Sequence, residues 1–178
     1  MTAVNEFLSE ENIAMHREYL RNKRLKYSIL ESSIPTLKGA EVRDVMRMRL
    51  NPRDKRDALL LLPEIKAHEI FFSSFSEARF PHSDTVSDGW GNEAAFLNEI
   101  FRQGMSLTHG FVCVYLSGSR ITVKGSGDLS DVFRLADPAL AIDVSEHAYF
   151  LDYGFDRERY LISALPYLDI TKLTADNA

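Results

Sequence analysis

The chain has 178 residues, and its 21 Lys and Arg against 26 Asp and Glu give a formal net charge of −5. This length predicts one domain or two small lobes with a core that needs no disulfide, and the 45% hydrophobic and 11% aromatic content excludes a disordered chain. The acidic balance argues against nucleic acid as a partner, and the single cysteine, Cys113, excludes a disulfide framework or a cysteine-based metal site.

The sequence also indicates where the protein works. No apolar run approaches the ~20 residues that a membrane span needs. The segment Met1–Glu11 is polar and lacks the apolar stretch of a secretory signal. We therefore expect a cytoplasmic protein that has no membrane partner.

The sequence pattern of residues 1–76 predicts a helical hairpin lobe. Ser9 can cap the free amides of a helix that runs from about residue 12 to residue 31. A short connector helix follows over 40–50, and a long apolar helix over 54–74 contains Pro63, which should kink it or reset its first turn.

Residues 92–178 have a different character, and the polar, turn-rich stretch 77–91 is the predicted linker between the two lobes. After a helix over 92–102, two short runs rich in β-branched and aromatic residues around a Ser-Gly-Ser turn predict a strand hairpin, and a third strand follows. The strands are expected at 110–116, 120–124 and 140–144, and the closing helices at 145–153 and 158–168. The fold class is therefore α+β, with an N-terminal α-helical hairpin lobe followed by an α/β lobe that carries a small antiparallel sheet and flanking helices.

Histidines and one aspartate form the candidate site. His16 and His68 lie on the two long helices, so an antiparallel pairing of those helices can turn both imidazoles toward one point. Asp143 ends a strand and His147 follows four residues later, a spacing that lets a carboxylate and an imidazole meet at one ion. Three histidines and one aspartate suit iron, manganese or zinc and are a poor set for magnesium or calcium.

The run Asp143-Val-Ser-Glu-His-Ala-Tyr-Phe150 resembles the Asp-Val-Trp-Glu-His-Ala-Tyr-Tyr motif of the iron/manganese superoxide dismutases. Other stretches are similar to that family in the same order along the chain. They are Leu8-Ser-Glu-Glu-Asn-Ile before His16, Ala67-His68-Glu-Ile-Phe-Phe72, His109-Gly110-Phe111, and the pair Arg157 and Tyr160.

The resemblance implies the family's helical hairpin and α/β lobe, and a site for one iron or manganese ion per subunit. It makes His16, His68, Asp143 and His147 the metal ligands and superoxide the substrate, and it leaves His82 and His109 outside the site. It also implies a homodimer in which Glu146 accepts a hydrogen bond from the partner's His147.

Several positions depart from the family pattern. The family's gateway Tyr, eight residues after the first ligand, is Arg24, and its water-binding Gln, four residues before the second ligand, is Glu64. The second family position for that Gln falls near Gly127, and the Trp inside the motif is Ser145. Arg24 and Glu64 have opposite charges, so we expect them to pair at the mouth of the metal cavity; the alternative is that Arg24 is solvated within a basic run.

A second pair of departures concerns the expected dimer. The family's His and Tyr that meet across its interface are Leu20 and Phe150 here, which predicts a more apolar interface around those residues.

Three functions follow from this reading. The first is a superoxide dismutase, an antioxidant oxidoreductase to which Arg24 and Glu64 contribute from beside the metal. The second is a dismutase-like metal-binding protein with altered surroundings and little or no dismutase activity. The third is a homodimeric scaffold whose site is empty or holds zinc.

Overall fold

A computed structural model of the protein describes residues 3–134 and 136–174. It shows a helix-rich chain with one small sheet, so the predicted α+β architecture is confirmed. In chain order the elements are α1 (Glu10–Ser33), α2 (Val42–Arg47), α3 (Pro52–Ser73), α4 (Asp84–Trp90), α5 (Glu93–Ser106), β1 (Phe111–Ser117), β2 (Arg120–Ser126), α6 (Leu129–Val132), β3 (Leu140–Asp143), α7 (Phe150–Tyr153) and α8 (Arg157–Ala164).

The two long helices α1 and α3 form the predicted hairpin. Ser9 caps α1 as expected, because its Oγ accepts the Asn12 N–H at 3.2 Å. Asn51 caps α3 in the same way through the Asp54 N–H, at 2.9 Å. Pro63 does not reset the first turn of a helix, because α3 runs across it from Pro52 to Ser73, and the kink stays a prediction. The loss of one N–H donor is tolerated within a 22-residue helix that packs against α1, α2 and β3.

The predicted linker 77–91 contains a short helix, α4, whose Val86 is fully buried. Buried residues from both predicted lobes, such as Ile13, Phe71, Ile142 and Leu161, belong to one continuous core. The division of the chain at 77–91 stays a prediction. In the described parts of the chain, no helix combines the length and the apolar character needed to cross a bilayer.

The sheet holds one end of the site in place. Its strands are antiparallel in the order β2-β1-β3, and Phe111 at the start of β1 pairs with Asp143 at the end of β3. Gly110 precedes β1 with φ +106°, and a Cβ there would strike the Ser126 carbonyl oxygen. The Tyr160 hydroxyl of α8 donates to the Asp143 carbonyl at 3.0 Å, which anchors the last residue of β3.

Candidate metal centre

Four elements bring three histidines and one aspartate to a single point. His16 comes from α1, His68 from α3 and Asp143 from the end of β3, and His147 lies in the 3₁₀ turn Glu146–Ala148. One nitrogen or oxygen from each of these side chains lies within 4.8 Å of the others. The structure therefore brings together all four residues that the sequence put forward as ligands.

The spacing of these atoms fits one ion. Asp143 Oδ2 lies 3.1 Å from the Nε2 of His147, 3.3 Å from that of His16 and 3.4 Å from that of His68. Two atoms that each lie about 2.1 Å from a common ion are separated by roughly 3.0–3.5 Å for angles near 90–110°. These three separations fall in that range, so the Asp143 oxygen and each imidazole nitrogen are spaced as two ligands of one ion.

Backbone groups orient two of the four side chains. His68 Nδ1 lies 2.6 Å from the Glu64 carbonyl oxygen, to which it can only donate, so the lone pair of Nε2 faces the cluster. The Ser145 N–H donates to Asp143 Oδ1 at 2.8 Å, which leaves Oδ2 directed at the three imidazoles.

Several polar atoms of the cluster have no other partner. Within the described residues, Nδ1 and Nε2 of His16 and Oδ2 of Asp143 are buried without a hydrogen bond. A buried polar atom without a partner is destabilising by about 1–3 kcal/mol. A cation that takes up His16 Nε2 and Asp143 Oδ2 removes that penalty, so this donor set fits a borderline first-row metal.

Burial and the close contacts within the cluster shift the pKa values of three of its members in different directions. Burial lowers the pKa of His68, which keeps its imidazole neutral and able to bind a metal. Burial alone would raise the pKa of Asp143, but the nearby imidazoles of His147 and His16 hold it well below its usual value. Burial alone would lower the pKa of His147, but the adjacent Asp143 carboxylate raises it instead.

Three polar residues, Tyr19, Lys23 and Glu64, lie against the cluster. The sequence put forward only Glu64 among them. The Tyr19 ring stacks on His147 with centroids 4.4 Å apart, and its hydroxyl donates to Glu64 Oε1. Lys23 Nζ donates to Glu64 Oε2 at 2.6 Å. Burial and the Glu64 carboxylate raise the pKa of Tyr19 to about 12, so the phenol is protonated at neutral pH and donates.

The predicted pairing of Arg24 with Glu64 is wrong. Arg24 is exposed and its ion-pair partner is Glu69, at 2.9 Å, whereas Glu64 is held by Lys23 and Tyr19. At about 100° per residue, the eighth residue after His16 lies about 80° around the helix from it, and the seventh only about 20°. The spacings of three and seven residues from His16 could have identified Tyr19 and Lys23.

His82 and His109 lie outside the four-residue cluster. His82 is exposed and lies between Asp84, at 2.9 Å, and Glu93, at 2.5 Å. His109 is exposed, with its Nε2 3.3 Å from where a Cβ on Gly127 would stand.

The residues expected at a dimer interface have different environments. Leu20 is only 5% exposed and packs in the chain's own core, so the expectation that it lines an interface is wrong. Phe150 is 42% exposed and contacts Phe155, itself 79% exposed, with ring centroids 5.2 Å apart. Glu146 is also exposed.

Residues 80–175 match the family model described as iron/manganese superoxide dismutases, C-terminal domain. Because the match covers more than half of the chain, the protein belongs to the iron/manganese superoxide dismutase family. A comparison with curated proteins found no match.

Proposed function

We propose that the protein is a metal-dependent superoxide dismutase, which converts superoxide to dioxygen and hydrogen peroxide. The observation that carries the proposal is the convergence of His16, His68, Asp143 and His147 within a chain of this family. A bound iron or manganese ion would supply one-electron transfer between two oxidation states. The chain's own residues supply a fixed donor set for the ion and an anion-attracting charge beside it.

Lys23 is the candidate for attracting the substrate anion. Burial alone would lower its pKa, but Glu64 and Tyr19 raise it, so the ammonium stays charged. Its side chain is 23% exposed, which leaves it in contact with solvent at the edge of the cluster. A cation at this place raises the local concentration of an anionic substrate.

Glu64 sets the polar environment beside the cluster. Both of its carboxylate oxygens accept hydrogen bonds, one from Tyr19 and one from Lys23. An amide at this position would offer a donor toward the metal side, whereas a carboxylate only accepts. The groups around a metal tune its redox potential and the acidity of its bound water.

The carboxylate of Glu64 also favours a second candidate function, a metal-binding protein of this family with little or no dismutase activity. A carboxylate near the metal favours the more highly charged oxidation state, and dismutation needs both states. The two candidates agree on metal binding and differ only in turnover.

The test combines metal analysis with a superoxide-consumption assay on protein loaded separately with iron, manganese and zinc. We expect about one iron or manganese per chain and superoxide consumption by the iron or manganese form only. His68→Ala should abolish both, and His82→Ala, an exposed histidine outside the cluster, should change neither. Stoichiometric metal without superoxide consumption in any form would select the second candidate, and activity in His68→Ala would refute the site.

We also propose a homodimer that works in the cytoplasm. The exposed Phe150 and Phe155, next to the exposed Glu146, give the chain an apolar surface that a second copy would cover, with Glu146 accepting from the partner's His147. Light scattering at micromolar concentration tests the dimer. Phe155→Ser should weaken it, whereas Leu25→Ser, the matching change at another exposed apolar residue, should not. A free, buried Cys113 agrees with a reducing compartment.

A further inference from the structure

A cavity of about 580 Å³ opens beside the metal centre. It lies between α3 on one side and the segments that flank β1 and β2 on the other, and its lining includes Glu64 and His147. A water molecule takes up roughly 30 Å³, and pockets for small organic molecules are about 300–1,000 Å³. The cavity is therefore far larger than a diatomic anion needs and has the size of an organic ligand site.

The α3 wall has a definite order of chemical groups. Arg56, Leu60 and Glu64 recur every four residues, and His68 continues the series, so they share one face of the helix. At 1.5 Å per residue the eight residues from Arg56 to Glu64 span about 12 Å. Leu60 is 63% exposed although it lies on this face, which leaves an apolar surface midway between a guanidinium and the metal centre.

Arg56 places a positive charge at the outer end of the lining, where it can pair with an anion. The Arg56 guanidinium makes a long ion pair to its neighbour, with Nε 3.6 Å from Asp57 Oδ1, so it has N–H donors for another carboxylate. The two carboxylates of the lining, Asp128 and Glu64, already accept hydrogen bonds. Asp128 Oδ1 accepts from the Ser130 hydroxyl at 2.7 Å, and Glu64 is held by its partners on α1.

Small residues keep the opposite wall open. Ser145 and Gly127 line the cavity at the positions where the family resemblance places a Trp and a Gln. The Ser145 hydroxyl accepts the Gly110 N–H at 3.0 Å, so this small side chain is directed at the backbone and not into the space.

We propose that this cavity binds a small organic carboxylate with an apolar body. The carboxylate pairs with Arg56, the apolar body lies on Leu60 and its neighbours, and the far end reaches toward His147. The proposal goes beyond superoxide chemistry. It depends on the proposed metal site only for the group that the end of the ligand opposite its carboxylate would contact near His147. Binding itself can be measured in metal-free protein.

The probe is 3-(4-hydroxyphenyl)propanoate, whose length of roughly 9–10 Å fits the span of about 12 Å along α3. Calorimetry on the metal-free 178-residue chain should show one site per chain. Arg56→Gln should weaken binding at least about tenfold, as expected for loss of a charge-assisted pair. Leu60→Trp, which fills the cavity from an exposed position, should weaken it by a similar factor.

Two controls separate this site from general attraction of anions. Arg53→Gln changes an arginine on the same helix that is outside the lining and 84% exposed, and should leave the affinity unchanged. The neutral probe 4-ethylphenol should bind more weakly and should not respond to Arg56→Gln. Equal losses from Arg53→Gln and Arg56→Gln would refute the site.

Two further outcomes also overturn the proposal. No heat of binding at about 5 mM probe, in protein shown to be folded, would mean that the cavity has no such ligand. Binding that appears only under dilution to monomer would mean that a second subunit occupies the space. Neither outcome bears on the proposed dismutase function, which fails only if the metal or the superoxide consumption is missing.

Discussion

The ion pair between Lys23 and Glu64 should be worth several times more to the fold than its neighbour between Arg24 and Glu69. The first pair is mostly buried, with side chains 23% and 18% exposed, whereas the second is 55% and 40% exposed. Both connect α1 to α3 at short distances of 2.6 and 2.9 Å, and their basic residues are adjacent in the chain. Burial is therefore the main difference between them.

A double-mutant cycle measures each pair. Lys23→Met leaves the Glu64 carboxylate with one donor, which should lower the free energy of unfolding by about 1–3 kcal/mol. Glu64→Gln keeps an acceptor for Tyr19, so Lys23→Met should be far less harmful in that background, with a coupling of about 1–2 kcal/mol. The matched cycle of Arg24→Met and Glu69→Gln should give about 0–0.5 kcal/mol, as exposed pairs do.

Urea unfolding of metal-free protein, followed by circular dichroism, keeps any change in metal binding out of the measurement. The salt dependence gives a second readout, because the exposed pair should lose its coupling in 1 M salt, where the screening length is about 3 Å, and the buried pair should keep most of it. Equal couplings for the two pairs, or a Lys23–Glu64 coupling below about 0.5 kcal/mol, would refute the reasoning.

Three further predictions concern single residues. Tyr19→Phe removes a hydroxyl but keeps the ring on its imidazole neighbour, so unfolding free energy should fall by about 0.5–1.5 kcal/mol in urea while metal content is unchanged. Gly110→Ala should be destabilising by more than the ~1–3 kcal/mol of backbone strain alone, because its Cβ meets a carbonyl oxygen, whereas Gly118→Ala meets nothing and should show the strain alone. The carboxylates of Asp84 and Glu93 raise the pKa of His82, so His82→Ala should destabilise the protein below about pH 6.5. That effect should disappear as the pH rises through the folded-state pKa, and urea unfolding at pH 5.5 and pH 9 measures the difference.

The long elements could be predicted because their signals are local. Ser9 and Asn51 provide side-chain caps for α1 and α3, and the caps lie within a few residues of where the two helices were expected to begin. The strands around 111–126 follow from short runs rich in β-branched and aromatic residues on either side of a Gly turn. The 3₁₀ turn at Glu146–Ala148 and the helix inside 77–91 are short, and tertiary contacts decide segments of that length.

The neighbours of the metal centre were harder to predict than the cluster itself. The four residues of the cluster keep the family's order and chemical type, so the resemblance points to them directly. Which side chain of α1 reaches Glu64 depends on about 100° of helix rotation per residue. Counting by family position selected Arg24, and counting by helix face would have selected Lys23.

The contacts that orient the cluster explain how its surroundings can change while the cluster stays intact. His68 is held by the carbonyl of Glu64, and Asp143 by the amide of Ser145, so both are positioned through backbone groups. The Tyr160 hydroxyl likewise binds the backbone of Asp143. Replacement of the side chain at 64 or 145 therefore leaves these hydrogen bonds in place. Under the proposed function we therefore expect metal binding and turnover to be separable: backbone groups orient the donor set, and the side chains of α1 and α3 beside it would tune the chemistry of a bound metal.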